Sequence, residues 1–195
     1  VYEGGRQDSL PFAPAMYGTT DISPDGRRMN GQVTQADGRC EEWIYDLVRG
    51  TGQKLPETDS FQFTSNYRWT PDSKSFVYSG SSSLGSESFI VRVSPDNPGV
   101  VDTLGRGPFA QGATFTPRGD TVVMMAGDTA GVFHLILLSL DHRSKPVRIG
   151  NSRGSSEDPG ISPDGKWLTY DSDESGDRRQ VYAEPFPPTG RRIQI

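Results

Sequence analysis

Short apolar-rich runs recur along the chain, each bounded by Gly, Pro, Asp or Ser. Ser75-Phe76-Val77-Tyr78 and Lys166-Trp167-Leu168-Thr169-Tyr170 are two of them, β-branched or aromatic in character and each preceded by a turn signal. The turn signal is itself repeated. Ser23-Pro24-Asp25-Gly26, Thr70-Pro71-Asp72-Ser73, Thr116-Pro117-Arg118-Gly119 and Ser162-Pro163-Asp164-Gly165 begin 47, 46 and 46 residues apart. A fixed period of that length marks a repeat architecture. Within each copy Pro pre-sets φ at the second turn position, Asp bonds nearby backbone, and Gly accepts positive φ. An apolar residue precedes every copy: Ile22, Trp69, Phe115 and Ile161. The phrase therefore reads as the turn of a β-hairpin, and Asp25 and Asp164 as turn residues rather than catalytic acids. Ser73 in place of Gly and Arg118 in place of Asp predict two turns that are slightly strained or of another type.

Each unit holds four strand-like runs. In the second they fall near Tyr67 to Trp69, Ser75 to Ser79, Phe89 to Val93 and Val100 to Leu104. Four short strands per repeat predict an all-β fold, a β-propeller of four-stranded antiparallel blades. Blades are expected at about 16–59, 60–108, 109–152 and 153–195, with 1–15 as the outer hairpin of a preceding blade. That half-repeat makes the chain read as part of a larger or open propeller. Phe133 to Leu138 is the best rival helix, but its place in the repeat matches Phe89 to Val93, a strand.

Composition adds exclusions. The 195 residues carry a net charge of −5 and a pI near 5.0, which argues against a nucleic-acid partner. Arg178-Arg179 and Arg191-Arg192 are too few and too interleaved with acids to form a binding stripe. No run approaches about 18 consecutive apolar residues, so no membrane span is expected in this chain. No signal peptide is expected at Val1, which leaves a processed or trimmed amino terminus open. Cys40 is the sole cysteine, which excludes an internal disulfide and a thiolate metal cluster.

The units resemble the TolB-like, WD40-like (PD40) propeller repeats of bacteria. Ile22-Ser23-Pro24-Asp25-Gly26-Arg27, Trp69-Thr70-Pro71-Asp72 and Ile161-Ser162-Pro163-Asp164-Gly165-Lys166-Trp167-Leu168 carry the resemblance. The order of features is also similar to the propeller attached to some bacterial serine/threonine protein kinases. The matching stretches are Trp43-Ile44-Tyr45-Asp46-Leu47, Tyr170 to Gly176, Val181-Tyr182 and Pro185-Phe186-Pro187. The resemblance implies an extracytoplasmic, periplasmic propeller that acts in sensing or protein contact. No kinase motif occurs in the chain.

Several constellations carry residue types found in functional sites. Gly150-Asn151-Ser152-Arg153-Gly154 matches the G-x-S-x-G pattern, but both histidines lie upstream, and an inter-blade loop is the better reading of Ser152. Asp171, Asp173 and Asp177 space like the start of a calcium loop. The closing bidentate Glu is missing, because Tyr182 stands in its place. They are a weak metal candidate, and a tight calcium ion is not expected. His134 reads as a partly buried structural residue and His142 as an outer-turn residue, without metal-ligand spacing. Cys40 lies in or beside a loop. Trp43, Trp69, Trp167, Tyr78 and Tyr170 read as inter-blade core.

No cofactor, catalytic residue or metal is assigned. Two functions follow. The first is a non-catalytic interaction module, an extracytoplasmic sensor or adaptor, or an accessory subunit of a larger, membrane-bound assembly. It would contact protein partners through the loop face opposite the turns or through a blade edge. The alternative is the propeller part of a peptidase or hydrolase whose catalytic domain lies elsewhere.

Overall fold

The computed structural model describes the chain except residues 1, 4–5, 8–11, 13–14, 39, 56–60, 83–87, 108–109, 142–144, 151–152 and 177. Two short strands, β1 (Tyr2–Glu3) and β2 (Arg6–Gln7), pair only with each other. The first four-stranded sheet holds β3 (Met16–Ile22), β4 (Arg28–Thr34), β5 (Cys40–Asp46) and β6 (Thr51–Lys54). The second holds β7 (Phe61–Trp69), β8 (Phe76–Ser82), β9 (Ser88–Ser94) and β10 (Asn97–Gly107). The third holds β11 (Ala110–Phe115), β12 (Thr121–Gly127), β13 (Phe133–Ser139) and β14 (Val147–Ile149). The fourth holds β15 (Ser156–Ile161), β16 (Trp167–Ser172), β17 (Gln180–Pro185) and β18 (Ile193–Gln194). Every sheet is an antiparallel meander in chain order, and no described residue is helical. The rival helix at Phe133 is strand β13, paired on both sides.

Strand alternation decides which residues join the sheets. Counted from the Ser or Thr that opens each turn, the sixth and eighth residues face the preceding sheet. They are Phe76 and Tyr78, then Val122 and Met124, then Leu168 and Tyr170, and all six are buried. The seventh faces the following sheet, as Val77 and Val123 do. The resulting clusters join neighbours only. Ile44 and Leu55 meet Phe76, Tyr78, Phe89 and Val91 between sheets one and two. Val77, Ile90 and Leu104 meet Val122, Met124 and Leu138 between sheets two and three. Val123, Met125 and Leu135 meet Leu168, Tyr170 and Tyr182 between sheets three and four. Each fully buried side chain of this size contributes about 1.5–3 kcal/mol.

All four innermost strands carry an irregularity at the same place. Their pairing registers slip between Tyr17 and Thr20, Ser65 and Arg68, Gln111 and Ala113, and Glu157 and Gly160. A bulge sharpens strand twist, and its repetition lets four narrow strands converge. In β15 it holds Asp158 at φ 49°, with its amide on the Met125 sulfur at 3.2 Å.

Candidate functional site

The repeated turns form a rim of locked hairpins. In the first, the Ser23 hydroxyl donates to Asp25 Oδ1 at 2.7 Å, and the Arg28 and Arg27 amides donate to Ser23 Oγ and Asp25 Oδ1. Gly26 closes the turn with its amide on the Ser23 carbonyl at 2.8 Å. Thr70 and Asp72, and Ser162 and Asp164, repeat the hydroxyl–carboxylate pair at 2.7 and 2.6 Å. These hydroxyls, with the turn amides, hold the carboxyls of Asp25, Asp72 and Asp164 below the usual carboxylate range. The two departures keep the same closing bond. Ser73 adopts φ 60° where Gly26, Gly119 and Gly165 have 69°, 71° and 70°, a strained choice for a residue with a side chain. In the third turn Asp120 takes over from Arg118 and accepts from Thr116 Oγ1 at 3.2 Å.

Successive turns also touch. A Cβ on Gly119 would lie 3.0 Å from Pro71, and one on Gly165 3.2 Å from Pro117. Ser73 instead accepts the Asp25 amide at 3.1 Å. The turn residues of Pro24, Pro71, Pro117 and Pro163 therefore shape a structural rim. A cleft of about 390 Å³ opens there between sheets two and three, lined by Asp72, Arg92, Arg118, Asp120 and Asp141. Its guanidiniums are already paired, Arg92 to Asp102 and Arg118 to Asp120.

On the opposite side the acidic loop is used within the fold. Asp173 Oδ1 accepts the Ser155 amide at 2.8 Å, and Asp171 pairs with Arg179 at 3.2 Å. Arg179 also binds Glu157, and Glu174 binds Arg192. Asp177, His142 and Ser152 lie outside the described residues. Among the described residues no group of three or more His, Cys, Asp or Glu is placed to hold a metal ion. His134 is held by Asp128 Oδ2 at 3.0 Å, with Asp128 also accepting the Ala130 and Val132 amides. Cys40 is exposed at the start of β5.

The junction between sheets three and four is polar on one flank. Glu184 lies opposite Leu168 and is 1 % exposed. Burial pushes its carboxyl up, against the opposing pull of Arg192 and Tyr170. Arg192 also stacks over the Tyr182 ring, 4.9 Å from its centroid. Glu184 Oε1, the Tyr170 hydroxyl and Arg192 Nη1 are buried without a well-formed hydrogen bond.

One expectation about aromatic residues is corrected. Trp69, Tyr78 and Tyr170 are buried and Trp43 packs on Tyr45, but Trp167 is 40 % exposed. It is the fifth residue after Ser162, an odd position, so it points away from sheet three onto the outward face of sheet four. Val181 and Ile193 are exposed with it. The equivalent faces of the first three sheets are covered by the next sheet. Glu184 was missed as a junction residue, although counting from each turn separates the two faces.

No family model and no curated protein matches the chain. Solved structures do. TolB from Acinetobacter baumannii superposes with a TM-score of 0.70 at 23% identity, over 94% of this chain and 44% of that one. The β-propeller domain of the Trilobed protease from Pyrococcus furiosus, described as having an open velcro topology, gives 0.67 at 13%, over 92% and 57%. Porphyromonas gingivalis dipeptidyl peptidase 4 gives 0.66 at 13%, over 90% and 30%. The chain thus spans less than two thirds of the length of each of these structures. Its four serial antiparallel sheets have the fold of a TolB-like β-propeller.

Proposed function

We propose that this propeller is a non-catalytic protein-interaction module, acting outside the cytoplasmic membrane as a sensor, an adaptor or an accessory subunit. The likeness of its four serial sheets to TolB carries the reading. Four sheets packed in series hold their loops rigidly on two rims, and loops on a rigid scaffold are where binding concentrates. The likeness to TolB supports the extracytoplasmic setting.

The test compares the immobilised chain with a variant carrying Ala130→Asp and Arg178→Glu, both exposed in the loops opposite the repeated turns, in a detergent extract of the membrane and periplasmic fraction. The expected result is a protein retained in stoichiometric amount by the parent and lost from the variant, with unchanged circular dichroism. Equal retention by both, or retention by neither, would contradict the reading. A second reading, the propeller part of a peptidase, is supported by the likeness to peptidase propellers. Peptide hydrolysis by the protein purified from its native source would favour it.

A further inference from the structure

We propose that the cleft between sheets two and three receives an arginine side chain of a partner protein. This rests on the reading of the chain as a protein-interaction module. It gives that module a contact on the turn rim, away from the loops of the opposite side.

The molecule supplies its own template. In each sheet a backbone bond from the amide of the turn opener fixes the residue five places on. Ser23 donates to the Arg28 carbonyl at 2.9 Å, and Thr70 to the Ser75 carbonyl at 2.8 Å. Strand register fixes the facing residue on the next sheet. Val93 lies opposite Phe76 and Leu138 opposite Val122, and three residues beyond them stand Asp96 and Asp141. In the first junction the two places meet, with Arg28 Nη2 donating to Asp96 Oδ1 at 2.7 Å. In the second junction Ser75 and Asp141 hold these places, and both line the cleft of about 390 Å³. A serine stands where the first junction has its arginine, and the carboxylate is kept. Between sheets three and four the same places hold Thr121 and Pro187, so the outer turn itself does not require a carboxylate.

The lining suits a guanidinium. Asp72, Asp120 and Asp141 stand there with Arg92 and Arg118, and each of these arginines already carries a carboxylate. Arg92 is held by Asp102 at 2.5 Å, and Arg118 by Asp120 at 3.1 Å with its side chain 86 % exposed. Asp72 accepts the Thr70 hydroxyl at 2.7 Å and the Lys74 amide at 3.1 Å, which hold its carboxyl below the usual range and keep it ionised. Asp141 accepts the Ser139 hydroxyl at 2.6 Å. A carboxylate has about four acceptor sites, so one such bond leaves capacity for a charged donor. The planar fork of an arginine presents five N–H donors and spans a carboxylate and neighbouring hydroxyls at once, whereas an ammonium is a point charge with three. Both walls are sheets packed on Val77, Ile90 and Val122, so the cleft is preformed and costs little ordering on binding.

Amide shifts of the isotope-labelled full chain, titrated with an acetylated and amidated Gly-Arg-Gly peptide, test this. The same peptide with citrulline keeps the shape and lacks the charge. The arginine peptide should give saturable shifts at Ser139, Leu140 and Asp141, and the citrulline peptide should bind at least about tenfold more weakly. Added salt should weaken the arginine peptide, because the cleft is open to solvent. Ser75→Arg puts the chain's own guanidinium in the cleft, as Arg28 does in the first junction, and should abolish these shifts. Arg28→Ser opens the first junction and should add shifts at Asp96. Asp141→Asn keeps the shape of the outer turn and should weaken binding by about tenfold, which serves where Ser75→Arg disturbs folding. Equal binding of the two peptides, shifts confined to other residues, or parent-like binding by Ser75→Arg or Asp141→Asn would overturn the proposal. A chain that captures a protein through its opposite loops yet ignores the peptide would remove this inference and leave the broader reading standing.

Discussion

The junction between sheets two and three and the junction between sheets three and four are built on one plan with different materials. The inner one has an apolar core, Val77, Ile90 and Leu104 against Val122, Met124 and Leu138, with charged side chains only in the cleft at its turn-side rim. The outer one has Val123, Met125 and Leu135 against Leu168, Tyr170 and Tyr182, and adds Glu184, Arg192 and Glu174 on its flank. Apolar burial is non-directional and tolerates small shifts, whereas a buried carboxyl costs free energy unless it is fully bonded. The repeat therefore specifies where sheets meet but not how firmly. The pair formed by sheets two and three is the expected stable centre, with sheet four as the more readily loosened neighbour.

The largest expected effect breaks the centre. Ile90 is 1 % exposed, and Ile90→Ala should cost about 2–5 kcal/mol in urea unfolding. Val181→Ala, on the outward face of sheet four, should change stability by less than about 0.5 kcal/mol. Similar losses for the two would erase the distinction between buried and free faces.

Next comes the polar flank. The Glu184 carboxyl titrates above its ordinary value of 4.5 in the folded state, so its protonated form is the one favoured by folding. That contribution is fully present below the unfolded value and is lost as pH rises through the folded one. Glu184→Gln should therefore be more stable than the parent at pH 7.5, because it spares the cost of a buried ionised carboxylate. The difference should shrink as pH falls towards the ordinary glutamate value. A variant less stable than the parent at neutral pH would mean that the ionised carboxylate holds the junction together.

The smallest effect concerns the turn between sheets one and two. Ser73→Gly relieves the left-handed strain but removes the acceptor for the Asp25 amide. The two nearly offset, so a stabilisation within about 0.5 kcal/mol is expected from thermal unfolding.

The sequence made the fold legible because the hairpin turn needs Pro, Asp and Gly at fixed places, and that chemistry survives in a repeat. Even its exceptions kept the geometry: Ser73 accepts the strain, and Asp120 replaces the carboxylate that Arg118 displaced. Interactions between repeats were not legible. Asp171 and Asp173 look alike in a ligand pattern, yet one pairs with Arg179 and the other caps the Ser155 amide, a residue 18 positions away. Trp167 looked like core because aromatic strand residues usually are, whereas its odd distance from Ser162 turns it outward. The inner-strand bulges leave no common residue signature, since they involve Gly18-Thr19, Asn66-Tyr67, Gly112 and Asp158-Pro159.

Hydroxyl-radical footprinting of Trp69 and Trp167 tests the central claim most directly, because one is 5 % and the other 40 % exposed on the same scaffold. In dilute solution Trp167 should be oxidised readily and Trp69 protected. Equal protection of the two would contradict the alternation that turns odd positions after the turn opener away from the preceding sheet.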